Sequence, residues 1–277
     1  MRIQPSRACL GAIVSLFLLT LASPIKADVL QITVTNNQPT GGFAFSPVWV
    51  GLQNGSFSTF TPGSAVSPAL QAVAELADTS KLTASFAGNG PQTTIGSAPY
   101  GPGSSASTTL NVTDTVNDRY LSYASMVVPS NDFFMANSDP KAFALFDSTG
   151  HFNGPMTIQI FGTSVWDAGS EVNNINFGAA FIVGDNITDH VAENGTIQKV
   201  FGGGVDNSAY LNSILGKATP YGYNISHLIT STDLIATIQI SAIPEPSSLL
   251  TLGGTAIGGI VVSFWRSRKN RLAVSAG

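Results

Sequence analysis

The chain has 277 residues and a single cysteine, Cys9, so it cannot form an internal disulfide. Outside its two ends it is acidic: residues 28–242 hold fifteen Asp and Glu against five Lys and Arg, a net charge of −10. A surface of that sign repels a phosphate backbone, which excludes nucleic acid as a partner and suits cations.

The N-terminus carries Arg2 and Arg7, an apolar run over 8–22, and then Ser23-Pro24-Ile25-Lys26-Ala27. A basic start, an apolar stretch too short to span a bilayer and small residues at its end predict a signal peptide over 1–27, cleaved after Ala27. A buried first helix is the alternative. Cys9 leaves with the peptide, so the exported product relies on packing, hydrogen bonds and any bound metal even in an oxidising compartment. About 215 residues remain, enough to bury a sizeable core.

This body, 28–242, is rich in Gly, Ser, Thr, Asn and Phe and has few surface-helix residues. Residues 29–35 alternate as a first strand and stop at Asn36-Asn37-Gln38-Pro39. An extended segment over 43–50 contains Pro47, which favours the edge of a sheet. Residues 68–77 form the one convincing helix, with Ser67 as its cap and apolar residues recurring at three and four. A Gly/Ser/Pro loop over 91–107 precedes strands at 107–112, 120–128, 141–146, 156–165 and 234–240. Within 173–222, a strand over 177–183 and a short helix over 207–215 are the readable pieces. Short strands with frequent turn residues predict an all-β fold, an antiparallel β-sandwich with one or two short helices.

Eight of the fifteen acids lie between Asp132 and Glu193, most of them in loops at strand ends. If 120–128, 141–146 and 156–165 form a meander, its first and third strands run the same way, and Asp132 and Asp167 emerge at one end. Asp139 is expected at that end and Asp147 at the opposite one. Gly169 permits a tight turn that brings Glu171 back. Carboxylates and amide oxygens gathered in loops are the ligands a hard cation such as calcium prefers, with Asn131, carbonyls or water completing six to eight oxygens. Asp and Asn also cap turns without any metal, and spacing alone leaves both readings open.

Two stretches carry a resemblance: Ser125-Met126-Val127-Val128-Pro129-Ser130-Asn131-Asp132-Phe133-Phe134 and Asp167-Ala168-Gly169-Ser170-Glu171. Together they resemble the spondin N-terminal domain, and Ser46-Pro47 and Leu70-Gln71-Ala72-Val73-Ala74-Glu75 fit its earlier part. The resemblance runs from about Ile32 to Asn174 and does not extend beyond. It implies an antiparallel β-sandwich with bound calcium, used outside the cell for adhesion or matrix contact. Asp132 and Asp167 are its implied metal ligands, with Glu171 at an acidic position of the family and Asn131 a further candidate. The thrombospondin-type repeats of the animal members are missing, so their partners do not carry over.

At the C-terminus, Pro244-Glu245-Pro246-Ser247 precedes an apolar stretch over 248–265, followed by Arg266, Arg268, Lys269 and Arg271. Eighteen helical residues reach about 27 Å, enough for a transmembrane helix, and the basic cluster would stay cytoplasmic. This order also resembles the PEP-CTERM sorting tail of certain Gram-negative bacteria. It implies recognition over 243–277 by an exosortase-type processing enzyme, a transient membrane anchor, and transfer to the cell surface or extracellular matrix. A permanent anchor is the other reading.

The chain has no G-x-S-x-G, H-E-x-x-H or G-x-x-x-x-G-K-[ST] motif, and His151, His190 and His227 are far apart. His190 beside Asp189 reads as a surface histidine rather than a base with its orienter. Asp132 and Asp167 could serve a glycan-active enzyme, but few tryptophans are present to line a cleft. The sequence therefore reads as a non-catalytic, calcium-binding surface module for an extracellular polysaccharide or surface protein; a purely structural matrix protein is the alternative. Of Phe133 and Phe134, one is expected to face solvent beside the metal.

Overall fold

The computed structural model describes residues 29–243. The signal segment over 1–27, the motif Pro244, Glu245 and Pro246, the apolar stretch read as a transmembrane helix, and the cluster with Arg266 and Arg268 lie outside the described residues. Among the described residues, no helix is long and apolar enough to cross a membrane.

Two antiparallel sheets account for most of the structure. The smaller one has the order β5 (Ser105–Asn111), β1 (Val29–Asn36), β11 (Leu234–Ala242) and β8 (Met156–Phe161). The larger one runs β10 (Gln198–Lys199), β9 (Val165–Asp167), β7 (Phe133–Ala136), β6 (Tyr120–Val128), β3 (Val48–Gln53) and β4 (Gln92–Ile95), with β2 (Ala44–Phe45) also on β6. Leu30, Ile32 and Val34 of β1 and Ile238 and Ile240 of β11 share one core with Val48, Val50 and Leu52 of β3 and Val127 of β6. This arrangement is consistent with a β-sandwich. The smaller sheet keeps a wet outer face, which is why β1 and β8 alternate.

The larger sheet is covered on both faces. Its outer side carries α1 (Pro68–Leu76) and α2 (Ser80–Phe86), which pack Leu70, Val73, Leu82 and Phe86 against Trp49 and Phe134. Ser67 caps α1 as expected, its Oγ accepting from the Leu70 N–H at 3.3 Å, and Pro68 opens the first turn. Because both faces are covered, Phe133 and Phe134 are both fully buried, on opposite sides of β7. The expectation that one of them faces solvent is corrected.

Several boundaries also differ from expectation. Residues 141–146 form only isolated bridges, and the strand beside β6 is β7, immediately after Asp132. It ends early because the Asn137 Oδ1 takes the Tyr123 N–H at 2.9 Å in place of a backbone carbonyl. The loop expected over 91–107 contains β4, pinned by Trp49 Nε1 donating to Gln92 Oε1 at 2.8 Å. The segment with Pro47 is not at an edge: β3 lies between β6 and β4, and Pro47 falls in the gap between β2 and β3. The strand expected over 156–165 divides into β8 and β9, one in each sheet. Between them, a 3-10 turn at Gly162–Ser164 carries the chain across. A Cβ at Gly162 would lie 1.9 Å from the Thr230 carbonyl oxygen, so only glycine fits this crossing. Residues 177–183 are not a strand, whereas α3 (Ser208–Ile214) forms where a short helix was expected.

Candidate cation site

β6 runs to Val128, the chain reverses over 129–132, and β7 returns with β9 on its other side, Phe133 opposite Asp167. β6 and β9 therefore point the same way, and Asp132 and Asp167 meet at one end of the larger sheet. The expected convergence holds, through a different middle strand. That strand leads away from the site, so Asp139 lies at the far end, not at this one as expected. Gly169 makes the tight turn with φ +64°, and a Cβ there would meet the Thr196 backbone at 2.7 Å.

Asp132 is fully buried. Its Oδ2 accepts from the Ser170 N–H at 2.8 Å, the Ser170 Oγ at 3.1 Å and the Glu171 N–H at 3.0 Å, while its Oδ1 has no hydrogen-bond partner. Asp167 accepts from the Gly169 N–H at 2.8 Å and from Asn173 Nδ2 at 2.7 Å. Burial, then the neighbouring Asp167 carboxylate, pushes Asp132 well above the usual carboxylate range. Burial also raises Asp167, against the pull of its hydrogen bonds. Two buried acids side by side need a shared proton or a shared cation. Asn173 meets this place through its Nδ2, which also donates to Asn207 Oδ1 at 3.1 Å, while its own buried Oδ1 has no partner.

Asn131 serves as a brace. Its Oδ1 accepts from Tyr210 Oη at 2.6 Å and the Asn174 N–H at 3.2 Å, its own N–H donates to Tyr210 Oη at 2.9 Å, and its Nδ2 donates to the Phe177 carbonyl at 2.5 Å. Tyr210→Phe removes both Tyr210 contacts, leaving the buried Asn131 N–H unpaired and its Oδ1 with the Asn174 N–H alone. The expected cost is about 1–3 kcal/mol, read as a lower midpoint in urea unfolding.

Glu171 turns its side chain elsewhere. Its Oε2 is 3.5 Å from Asn131 Nδ2, and its Oε1 is 3.5 Å from His190 Nδ1 without a hydrogen bond. Burial, then the nearby Glu75 charge, raises Glu171 to about 7. Glu75 sits on the buried face of α1, where Gln71 Nε2 donates to it at 2.7 Å. One ligand atom each from Glu75, Glu171 and His190 lies within 4.8 Å of the others, a group that could hold a metal ion. His190 thus lies against Glu171 rather than serving Asp189. Glu75 was legible only as a helix residue, although a carboxylate on an apolar helix stripe is itself a signal.

Comparison with protein-family models and with curated proteins finds no match for this chain.

Proposed function

We propose that this chain is an exported bacterial surface or matrix protein whose spondin-like β-sandwich holds calcium at one end and uses that end as a binding face. In this reading a PEP-CTERM tail and its exosortase deliver the body to the outside of a Gram-negative cell. The unpaired, buried Asp132 Oδ1 beside Asp167 carries the reading. Calcium would be held by Asp132 and Asp167 and would neutralise two buried acids, with loop carbonyls or water completing its shell. Glu171 and Asn131 would act through the loop: the Glu171 N–H fixes Asp132, and Asn131 ties the reversal to Tyr210 and Asn174.

The surroundings favour a binding module over an inert scaffold. Val172, Phe177 and Val191 are about half exposed beside the site, and the Val172 N–H donates to the Val191 carbonyl at 2.8 Å, which makes those two neighbours. Apolar side chains held in water by fixed loops are the anchors a partner surface uses. The test is retention of the purified protein on washed cells and on their extracellular polysaccharide, in calcium and in chelator. The reading expects at least tenfold greater retention with calcium; equal retention in both would support a purely structural matrix protein.

A further inference from the structure

We propose that Glu75, Glu171 and His190 form a second metal site, selective for a divalent transition ion of the zinc class and separate from the calcium position at Asp132 and Asp167. The inference goes beyond the calcium reading and does not rest on it.

Three chain segments converge here: the last turn of α1, the loop after β9, and the 189–193 return that bridges to it at Glu171 and Ala192. Glu75 and Glu171 are buried carboxylates of the same charge, and buried like charges persist only if something offsets them. The Oε1 of Glu171 has no hydrogen-bond partner and is aimed at His190 Nδ1, 3.5 Å away. That unpaired oxygen is a second observation, independent of the clustering of acids. Tetrahedral ligands at bond lengths near 2.0–2.1 Å stand about 3.4 Å apart. The Glu171–His190 pair already has this separation, and the limit of 4.8 Å for the whole group asks only side-chain adjustment.

Donor chemistry separates the two places. An imidazole nitrogen with two carboxylates suits zinc and its neighbours, whereas the Asp132 and Asp167 pair offers oxygen alone and suits calcium. The carboxylate of Glu171 is directed to Asn131 and His190, and none of its hydrogen bonds or ion pairs runs to Asp132 or Asp167. His190 is 46% exposed, so the ion would meet solvent on that side and keep a water as its fourth ligand. The site would fasten α1 to the loops that carry the apolar anchors.

Cobalt(II) is the probe, because a tetrahedral site gives it intense visible absorption. The purified protein, in excess calcium, is titrated with cobalt and then back-titrated with zinc. One equivalent of tetrahedral cobalt, displaced by zinc, is expected. His190→Ala, a change at a half-exposed position that should not disturb folding, and Glu75→Gln are each expected to weaken uptake at least tenfold. Asp132→Asn should leave it unchanged while abolishing calcium binding. Absence of a tetrahedral band, displacement of cobalt by calcium, or unaltered affinity in His190→Ala would overturn the second site. Absence of the band, or unaltered affinity in His190→Ala, leaves the calcium reading untouched; that reading fails separately if calcium is not bound.

Discussion

In chelator, Asp132→Asn is expected to unfold at a higher temperature than the parent protein, and in millimolar calcium the order is expected to reverse. An asparagine oxygen can still accept from Ser170 and the Glu171 N–H, so the turn stays fixed. Its amide group then occupies the place of the unpaired Oδ1 and can donate toward Asp167. Without a cation, this relieves a buried charge that the fold otherwise neutralises by holding a proton. The gain should be about 1–2 kcal/mol, or about 2–8 °C for a domain of this size. With calcium, the parent gains binding energy that the variant lacks. Asp132→Ala is the control: it strands two backbone N–H groups and should cost about 2–4 kcal/mol in chelator, and more in calcium. Equal shifts for Asp132→Asn with and without calcium would remove the cation from the explanation.

The second large effect is a stability that falls as pH rises in chelator. Glu171 is raised to about 7, and Asp118, buried and close to Asp114, to about 6, chiefly by burial, against ordinary values near 4. Asp132 and Asp167 are raised as well. For an acid with a raised folded pKa, the native chain keeps a proton that the unfolded chain has already lost. Between about pH 4 and pH 7 the native state therefore binds more protons, and the free energy of unfolding falls with rising pH. From pH 5 to pH 8 the expected loss is about 2–4 kcal/mol, or about 5–15 °C in thermal unfolding. Calcium acts in the opposite direction, because protons compete with it for Asp132 and Asp167. The difference between melting temperatures in calcium and in chelator should be small at pH 5 and largest at pH 8. Parallel curves across that range would show that calcium and protons do not share a site.

Much of the frame was legible because its signals are local. β1 and β11 alternate, β6 is a long apolar run, and α1 has a cap and a periodic stripe. β7 was hidden because four residues directly after Asn131-Asp132 carry no period of their own, and its partners are set by tertiary pairing. The division of 156–165 was equally invisible: only the approach of the Thr230 backbone reveals that Gly162 turns the chain into the other sheet. The burial of Phe134 depends on α1 and α2 covering the outer face, and α2 offered little beyond Leu82 and Phe86 four residues apart.

The site divides along the same line. Asp132 and Asp167 could be paired from strand direction alone, because antiparallel neighbours alternate in sense whatever lies between them. The placing of Asp139 failed for the complementary reason, since it depended on which segment was the middle strand. Glu75, His190 and Tyr210 join the site across sequence separations that no spacing argument reaches, whereas Asn173 lies in the same loop as Asp167.

The most direct test of the cation at Asp132 and Asp167 is calcium titration of the purified protein by calorimetry, repeated on the Asp132→Asn/Asp167→Asn double variant. Saturable binding of about one ion by the parent, lost in the variant, is the predicted result. No binding by the parent, or the same binding in both proteins, would contradict it and reduce the acidic loops to turn chemistry.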